Sequence, residues 1–390
     1  MSSKKFKFFI LIIIYFFINF SINSLLNDIS IYTKEEKEGT VVFYADNTNY
    51  SPFFITINFS ELNNFVCSVD YPYAFVLPPK ATKYKVLKIK IKNPHKSNSY
   101  RYQYSQILGD PDAKHDDSFI YIFPYQNGTK HKLVQGFNGK STHRDENQYA
   151  LDFDLNIGTP IAAARSGIVV DIKEDSDIGG FSNTYDKYGN YILILHPDGS
   201  FGNYVHLKKN GSIVKIGDII NQGDIIGYSG NTGRSSGPHL HFDVRILKDK
   251  NHLQSIPIKF LNYDGKAIRP VEGEYYYSTH PGKQSFDVVL GKNITNEDYD
   301  DYSVSIKKND TIEIRSEPVD NTILVFIRNG YNKEIQITTQ IDLINLQPSK
   351  NLPITIDIEP LTEKFLLFLR TIDNGAKTQW KASCQYKIID

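Results

Sequence analysis

The chain has 390 residues, and its 44 Lys and Arg side chains balance its 44 Asp and Glu side chains, so the formal net charge is zero. This balance argues against a general electrostatic attraction to nucleic acid or to an anionic membrane surface. Hydrophobic residues make up 40% of the chain and charged residues 23%, which argues against wholesale disorder, and the 26 Tyr and 24 Phe favour strands over helices.

Residues 1–24 predict a signal peptide. Three lysines precede the apolar run Phe8–Phe20, which has the length of a signal-peptide core and is short for a membrane span. Small residues at Ser21 and Ser24 allow cleavage there, and the absence of cysteine from this stretch argues against a lipoprotein anchor. We expect a secreted or periplasmic (cell-envelope) protein with no stable membrane span after cleavage. The alternative is an uncleaved N-terminal anchor.

Residues 25–130 predict a small β domain with the character of a sandwich. Strand-rich runs occur at Thr40–Phe59, Tyr84–Ile91 and Ser118–Phe123, with turn-forming Asn, Gly, Asp and Pro between them. Residues 131–280 form a second predicted domain, in which glycines recur at strand ends, and a connecting tail completes it.

Residues 281–390 predict a third domain, again with β-sandwich character. Short apolar runs recur at the spacing of a sandwich: Tyr302–Ile306, Thr311–Ile314, Thr322–Ile327, Ile335–Ile341, Ile354–Ile358 and Phe365–Leu369. A helical period is the alternative for Leu361–Leu369. The fold class is therefore mainly β, with a central antiparallel domain between two β-sandwich-like domains.

Two cysteines exclude a disulfide-rich scaffold and cannot form a thiolate metal site by themselves. Cys67 and Cys384 either form one disulfide bond in an exported protein or are small buried hydrophobic residues. The sequence leaves both possibilities open.

The segment Gly230–Val244 (GNTGRSSGPHLHFDV) carries a pair of histidines at strand spacing. In a strand, residues i and i+2 face the same side, so His239 and His241 share one face while Leu240 and Phe242 face the core. Two imidazoles on one face suit a metal ligand beside a proton-transfer group.

The segment Thr142–Phe153 (THRDENQYALDF) adds a carboxylate face and another histidine. Apolar residues alternate with Asp152 and Asp154, which predicts a strand, and His143 precedes it in a polar loop. A His, Asp and His set holds Zn²⁺ with a fourth position open for water, as in catalytic sites. His206, in the segment Asn203–Leu207, is a further candidate; the other histidines are expected to be structural or exposed.

These segments resemble the M23 family of zinc metallopeptidases, the lysostaphin- and LytM-type peptidoglycan endopeptidases. The similarity covers about 135–245 and also includes the strings YALDFDLNIGTPIAAARSGIVV, GNYILILHPDG and GDIINQGDIIGYSGNTG. It implies a compact, mostly antiparallel β fold with a groove over the metal. It also implies that His143, Asp152 and His241 are the Zn²⁺ ligands and that His206 and His239 are the two catalytic histidines that do not bind the metal.

One spacing departs from the common family form, in which the first His and the Asp lie four positions apart. Here His143 and Asp152 are nine apart, which resembles a longer variant of the motif. Asp145 or Glu146 is the alternative to His143. Asp154 is the weaker alternative to Asp152, because the family aspartate sits directly before an aromatic or other apolar residue.

The resemblance implies a secreted zinc endopeptidase that hydrolyses peptide cross-links of peptidoglycan. Two alternatives stay open: a non-enzymatic M23-like regulator or cell-wall-binding protein, and a metallopeptidase that acts on proteins. The cleaved bond, a glycyl bridge or a cross-link with a D-amino acid, and the oligomeric state are not fixed by the sequence.

Overall fold

The computed structural model describes residues 29–374 and 376–389, and strands dominate them, which confirms the prediction of a mainly β chain. The predicted signal peptide, residues 1–24, lies outside the described residues. Within the described part of the chain, no helix combines the length and the apolar character that a bilayer crossing requires.

Strands β1–β24 precede residue 278. Their bounds are β1 Ile29–Glu36, β2 Thr40–Asn47, β3 Phe53–Asn63, β4 Phe65–Cys67, β5 Tyr73–Leu77, β6 Tyr84–Ile91, β7 Ser99–Leu108, β8 Ile120–Tyr121, β9 Lys130–Gln135, β10 Leu151–Phe153, β11 Pro160–Ala162, β12 Gly167–Lys173, β13 Gly179–Gly180, β14 Tyr191–Leu195, β15 Phe201–Val205, β16 Leu207–Ser212, β17 Ile219–Ile220, β18 Ile225–Ser229, β19 Gly233–Arg234, β20 Leu240–Lys248, β21 His252–Ser255, β22 Lys259–Leu261, β23 Ala267–Ile268 and β24 Tyr275–Tyr277.

Eight further strands follow: β25 Ser303–Ser305, β26 Ile312–Val319, β27 Thr322–Asn329, β28 Ile335–Ile344, β29 Leu346–Pro348, β30 Ile354–Ile358, β31 Thr362–Thr371 and β32 Gln379–Ile388. The helical segments of the described residues are short 3-10 turns: Lys37–Gly39, Asp145–Asn147, Asn183–Tyr188, Gly291–Asn293 and Glu297–Tyr299.

The chain divides into two compact units. The first contains residues 29–272 and 276–284, and the second contains residues 273–275 and the described residues from 285 onward. The division into three domains at 25–130, 131–280 and 281–390 stays a prediction.

The first unit is built around an antiparallel sheet whose two faces are both buried. Its strands follow the order β17-β12-β14-β15-β20-β10-β9, and β21 pairs with β20. On β14, Ile192 and Ile194 enter one hydrophobic core, whereas Tyr191 and Leu193 enter another. Because alternate residues of a strand face opposite sides, a strand covered on both sides is apolar throughout.

Two small sheets cover part of one face of this central sheet. They have the strand orders β1-β2-β6-β4 and β5-β3-β7. Phe43 of the first small sheet and Ile55 of the second belong to the same hydrophobic core as Leu193 and Phe201 of the central sheet. The N-terminal strands therefore share their core with the central sheet.

The second unit also has two layers. One sheet follows the order β25-β31-β27-β26, with β29 paired to β31, and the other follows the order β30-β28-β32. The helical alternative for Leu361–Leu369 is wrong, because strand β31 begins at Thr362 and includes the rest of this segment. Leu367 and Leu369 enter one hydrophobic cluster and Phe365 and Phe368 another, so burial from both sides hides the strand period.

The two cysteines are free thiols in the structure, and each is half-buried. The structure therefore does not contain the alternative Cys67–Cys384 disulfide bond. Cys384 packs at the edge of a hydrophobic cluster of the second unit and Cys67 at the edge of one in the first. Both behave as small apolar side chains.

Candidate metal centre

Asp152 and His241 lie opposite each other on neighbouring antiparallel strands, β10 and β20. Leu151 and Phe153 flank Asp152 and are fully buried in the core on the other face of the sheet. Because successive side chains alternate between faces, the core residues fix the two strands while the carboxylate and the imidazole meet on the opposite face. The alternating sequence ALDF thus positions the carboxylate.

Three buried side chains converge at this point. Nδ1 of His241 lies 2.9 Å from Oδ1 of Asp152, and Nε2 of His143 lies 3.2 Å from the same oxygen. One nitrogen or oxygen from each of the three residues lies within 4.8 Å of the others, so they could hold a metal ion together. A tetrahedral cation with ligands at about 2.0–2.1 Å places them about 3.4 Å apart, which is close to these distances.

His143 offers the clearest test of whether a cation fits. Its Nδ1 lies 2.9 Å from the carbonyl oxygen of Gly136, so Nδ1 carries the proton and donates it. Its Nε2 is buried and has no hydrogen-bond partner. A buried acceptor without a partner is unfavourable unless another group satisfies it, and a cation bound beside Asp152 would do so.

His241 is held from behind by a second carboxylate. Nε2 of His241 donates to Oδ2 of Asp243 at 3.0 Å, which leaves Nδ1 as the atom that faces Asp152. Asp243 in turn accepts hydrogen bonds from Arg245 and, at 3.1 Å, from the side-chain amide of Asn203. An outer carboxylate of this kind fixes the orientation of a metal-binding imidazole and makes it more basic.

Burial and neighbouring charges oppose each other in the protonation of these groups. Burial would lower the pKa of His241, but hydrogen bonds to Asp152 and Asp243 outweigh it and raise the pKa to about 9. Burial would raise the pKa of Asp152, but the neighbouring imidazoles of His143 and His241 hold it well below its usual value. The carboxylate is therefore ionised and ready to bind a cation.

Gln135 and Asp243 support the site, although the sequence analysis did not identify them. Nε2 of Gln135, at the end of β9, donates to Oδ2 of Asp152 at 3.1 Å. The sequence could have indicated Asp243, because a residue two positions after His241 in a strand lies on the same face as His241. No comparable signal existed for Gln135, because its contact depends on the pairing of β9 with β10.

His206 lies between β15 and β16 with a left-handed backbone, at a φ of 67°. Nδ1 of its ring donates to the carbonyl oxygen of Thr232 at 2.7 Å, so Nε2 is free to accept a proton. Burial, and then the proximity of His239 and His241, lower the pKa of His206 to about 3. The ring is therefore neutral near pH 7 in the metal-free protein.

His239 lies beside His206, with their ring centroids 4.6 Å apart. Nδ1 of His239 donates to the carbonyl oxygen of Gly237 at 2.8 Å, and its Nε2 lies 3.8 Å from Oδ1 of Asp152. Both histidines thus carry a proton on Nδ1 and present Nε2 as an acceptor next to the convergent set.

The alternative ligands lie elsewhere. Asp145 and Glu146 belong to an exposed 3-10 turn after His143, and neither joins the convergent set. Asp154 is exposed, and its backbone carbonyl accepts from His131. The structure therefore brings together the four histidines and the aspartate that the sequence pattern indicates: His143, Asp152, His206, His239 and His241.

Comparisons with known proteins match the region of the chain that contains most of these residues. The sequence profile of Peptidase family M23 matches residues 146–255. An uncharacterized metalloprotease of Buchnera aphidicola subsp. Baizongia pistaciae is 36% identical over 130 residues, 31% of this chain and 31% of that protein. Lysostaphin of Staphylococcus simulans is 36% identical over 155 residues, 39% of this chain and 28% of that protein. The peptidoglycan DD-endopeptidase ShyA of Vibrio cholerae is 31% identical over 138 residues, 34% of this chain and 29% of that protein.

These matches define the class of the central region as a metallopeptidase domain. More narrowly, the chain contains a domain of peptidase family M23 at residues 146–255. The chain spans less than a third of the length of each of these three relatives. Asp152, His206, His239 and His241 lie inside the matched range, whereas His143 lies just before it, on the side of the unusually long spacing.

Proposed function

We propose that this protein is a secreted zinc endopeptidase that hydrolyses peptide cross-links of bacterial peptidoglycan. The observation that carries the proposal is the convergence of His143, Asp152 and His241, with the orphaned Nε2 of His143, next to two further histidines. The names of the relatives, lysostaphin and peptidoglycan DD-endopeptidase ShyA, support the substrate class. The signal-peptide pattern of residues 1–24 supports export to the cell envelope or beyond.

His143, Asp152 and His241 are the proposed zinc ligands. Two histidine nitrogens and one carboxylate oxygen are a donor set that zinc accepts, and three protein ligands leave one position for water. Zn²⁺ bound there would bring the pKa of a water molecule toward neutrality and polarise the scissile carbonyl. Asp243 and Gly136 keep the protons of His241 and His143 on the ring nitrogens that face away from the ion.

His239 is the proposed general base. Its Nδ1 proton is fixed by the carbonyl oxygen of Gly237, so Nε2 is the atom that takes a proton from the attacking water. A well-placed imidazole contributes on the order of 10²–10⁴-fold to such a step. The same ring is half-buried and lies at the edge of the site, where a substrate can reach it.

His206 is proposed to stabilise the oxyanion or to protonate the leaving amine. Both roles need a proton on Nε2, and burial keeps this ring neutral at the start, so His206 must first receive a proton. The proton that His239 takes from the attacking water is its source, because the two rings lie side by side. Once protonated, a group with a low pKa is a strong donor. The reverse assignment of His206 and His239 satisfies the same hydrogen bonds.

Incubation of the purified protein with bacterial sacculi tests the proposal. We expect soluble muropeptides from the zinc-loaded wild-type protein, and none after chelation or with Asp152→Ala. Asp154→Ala is the matched control, because this exposed carboxylate lies on the same stretch outside the convergent set. Equal release by wild type and Asp152→Ala would refute the metallopeptidase mechanism.

The same incubation separates the competing functions. A protein that binds sacculi without releasing fragments is a wall-binding regulator, and one that cleaves only protein substrates is a general metallopeptidase. Mass spectrometry of the released fragments identifies the cleaved bond. Fragments that end in glycine indicate a glycyl bridge, whereas fragments that end in a D-amino acid indicate a direct cross-link.

A further inference from the structure

His206 has a backbone conformation that its own side chain does not favour. Its φ of 67° is in the left-handed region, which residues with a Cβ atom adopt rarely. A conformation of this kind persists only where surrounding contacts impose it, and such positions cluster at functional sites. The contacts that impose this conformation are made by the next residue, Leu207.

The peptide groups of Leu207 are held by two buried residues, Asn190 and Thr232. The backbone N–H of Leu207 donates to the carbonyl oxygen of Asn190 at 3.2 Å. Its carbonyl oxygen accepts from the hydroxyl of Thr232 at 2.7 Å and from the side-chain amide of Asn190 at 3.2 Å. Leu207 is therefore restrained at both its N–H and its C=O, and the chain must turn at His206.

Thr232 also restrains the ring of His206. Its carbonyl oxygen accepts the Nδ1 proton of the imidazole at 2.7 Å, while its hydroxyl bonds to the peptide group one residue further on. A carbonyl oxygen can only accept, so this contact selects the tautomer with the proton on Nδ1. One residue thus controls both the backbone and the tautomer of His206.

Asn190 connects this arrangement to the rest of the sheet. Its backbone N–H donates to the hydroxyl of Thr232 at 3.0 Å. Its side chain donates to the carbonyl oxygen of Ser176 at 2.8 Å and accepts from the N–H of Ser176 at 3.1 Å. Asn190 is fully buried, so its polar groups depend on these partners for hydrogen bonds.

Two glycines allow Asn190 and Thr232 to approach each other. Gly189 precedes Asn190 and Gly233 follows Thr232, and a Cβ atom on Gly233 would lie 2.5 Å from the Cα atom of Gly189. Gly233 also has a φ of 77°, which favours glycine. The Gly-Asn-Thr-Gly turn of the sequence therefore brings the threonine into contact with the asparagine.

We infer that Thr232 and Asn190 are positioning residues, which hold His206 in its left-handed conformation with Nε2 directed at the reacting groups. Neither residue belongs to the convergent metal set. The consequence for catalysis rests on the proposed function, because it assumes that His206 moves a proton. The consequence for the geometry of His206 does not depend on any activity.

Thr232→Val removes the hydroxyl and keeps the shape and the backbone carbonyl of the residue, whereas Thr232→Ser keeps the hydroxyl. With sacculi as substrate, we expect Thr232→Val to lower the rate at saturation by about 10–100-fold. The half-saturating amount of sacculi and the zinc content should stay unchanged. Thr232→Ser should recover the rate to within about threefold of wild type. Thr339→Val, at a fully buried threonine of the second unit, is the matched control and should keep the wild-type rate.

Nitrogen NMR of ¹⁵N-histidine-labelled full-length protein provides a readout without activity. We expect one tautomer for His206, with Nδ1 protonated, in wild type and Thr232→Ser. Thr232→Val keeps the carbonyl oxygen that accepts from Nδ1 but removes the hydroxyl that restrains Leu207, so the ring of His206 should move away from this carbonyl and show a mixture of tautomers. Should Thr232→Val fail to fold, Thr232→Ala removes the same hydroxyl and is judged by the same outcomes. An unchanged His206 spectrum, or a Thr232→Ser protein as impaired as Thr232→Val, overturns the inference. If wild type does not cleave sacculi, the proposed function fails, and the NMR result alone decides the inference.

Discussion

His241 and Asp243, two residues apart on β20, are joined by a hydrogen bond of 3.0 Å from Nε2 of the imidazole to Oδ2 of the carboxylate. The strand period places both side chains on the same face, and the pairing with β15 brings Asn203 opposite Asp243. The carboxylate behind the imidazole is fully enclosed and is itself held by Arg245. Nδ1 of His241, the proposed metal-binding atom, is therefore held in one orientation by the protein alone.

The first prediction concerns this carboxylate. Asp243→Asn should weaken zinc binding by about 10–100-fold, because the amide supports the imidazole less well and leaves Arg245 without its charge partner. Competition with a chromophoric chelator measures the affinity. Asp154→Asn, at an exposed position, is the control and should bind zinc like wild type. Equal zinc affinity for Asp243→Asn and wild type would refute the supporting role.

The second prediction separates metal binding from proton transfer. His241→Ala and Asp152→Ala should be purified without zinc, because each removes a proposed ligand. His206→Ala and His239→Ala should retain one zinc ion per chain and lose activity on sacculi by on the order of 10²–10⁴-fold. Metal analysis of the four purified variants makes the comparison. A His239→Ala protein without zinc would contradict the assignment.

The third prediction concerns pH. Zinc must displace the proton from Nδ1 of His241, whose pKa in the metal-free protein is raised to about 9. Zinc affinity should therefore increase by about tenfold for each pH unit from 6.5 to 8.5 and level off above 9. Binding near pH 7.5 should release about one proton for each ion, which a pH indicator in weak buffer detects. An affinity independent of pH over this range would mean that His241 is not a ligand.

The fourth prediction concerns the acid stability of the second unit. The side chain of Glu363 is 3% exposed, and hydrogen bonds from Arg315, Arg328 and Tyr302 outweigh its burial and lower its pKa to about 2. A lowered pKa stabilises the folded unit above the unfolded pKa, about 4.3, and this stabilisation disappears as the pH falls through 2. Glu363→Gln should therefore lower the free energy of unfolding by about 1–3 kcal/mol at pH 7 and by much less near pH 2.

Urea unfolding followed by the fluorescence of Trp380 measures this effect, because the chain has one Trp and it lies on β32 of the second unit. Glu317→Gln is the control, since Glu317 also contacts Arg315 but is 54% exposed. Its effect should be below about 1 kcal/mol. Equal destabilisation by the two substitutions would show that burial of Glu363 does not increase its contribution to the free energy of unfolding.

The sequence predicts strands best where one face is exposed. The run Tyr84–Ile91 becomes β6 with the same bounds, because Lys88 and Lys90 alternate with the buried Leu87 and Ile89. Strand β31 could not be predicted in this way, since clusters on both sides bury its residues and erase the alternation. Local periodicity reports a strand only when the two faces differ in solvent exposure.

The candidate site follows the same logic. The sequence indicates His239 and His241 from their spacing in a strand, and the structure places them beside Asp152. The contacts of Gln135 with Asp152 and of Thr232 with His206 join residues far apart in the chain. Such contacts depend on strand register and on turns, which one sequence without further information does not define.

The core shared by the N-terminal strands and the central sheet limits where the M23 domain can be cut out of the chain and expressed alone. A fragment limited to residues 131–280 would lack the N-terminal strands, and a hydrophobic patch would become exposed to solvent. This patch includes Tyr191, Leu193, Phe201 and Val205. Such a fragment would tend to aggregate during expression. A soluble fragment should therefore begin near Ile29, so that it includes the N-terminal strands that cover this face of the central sheet.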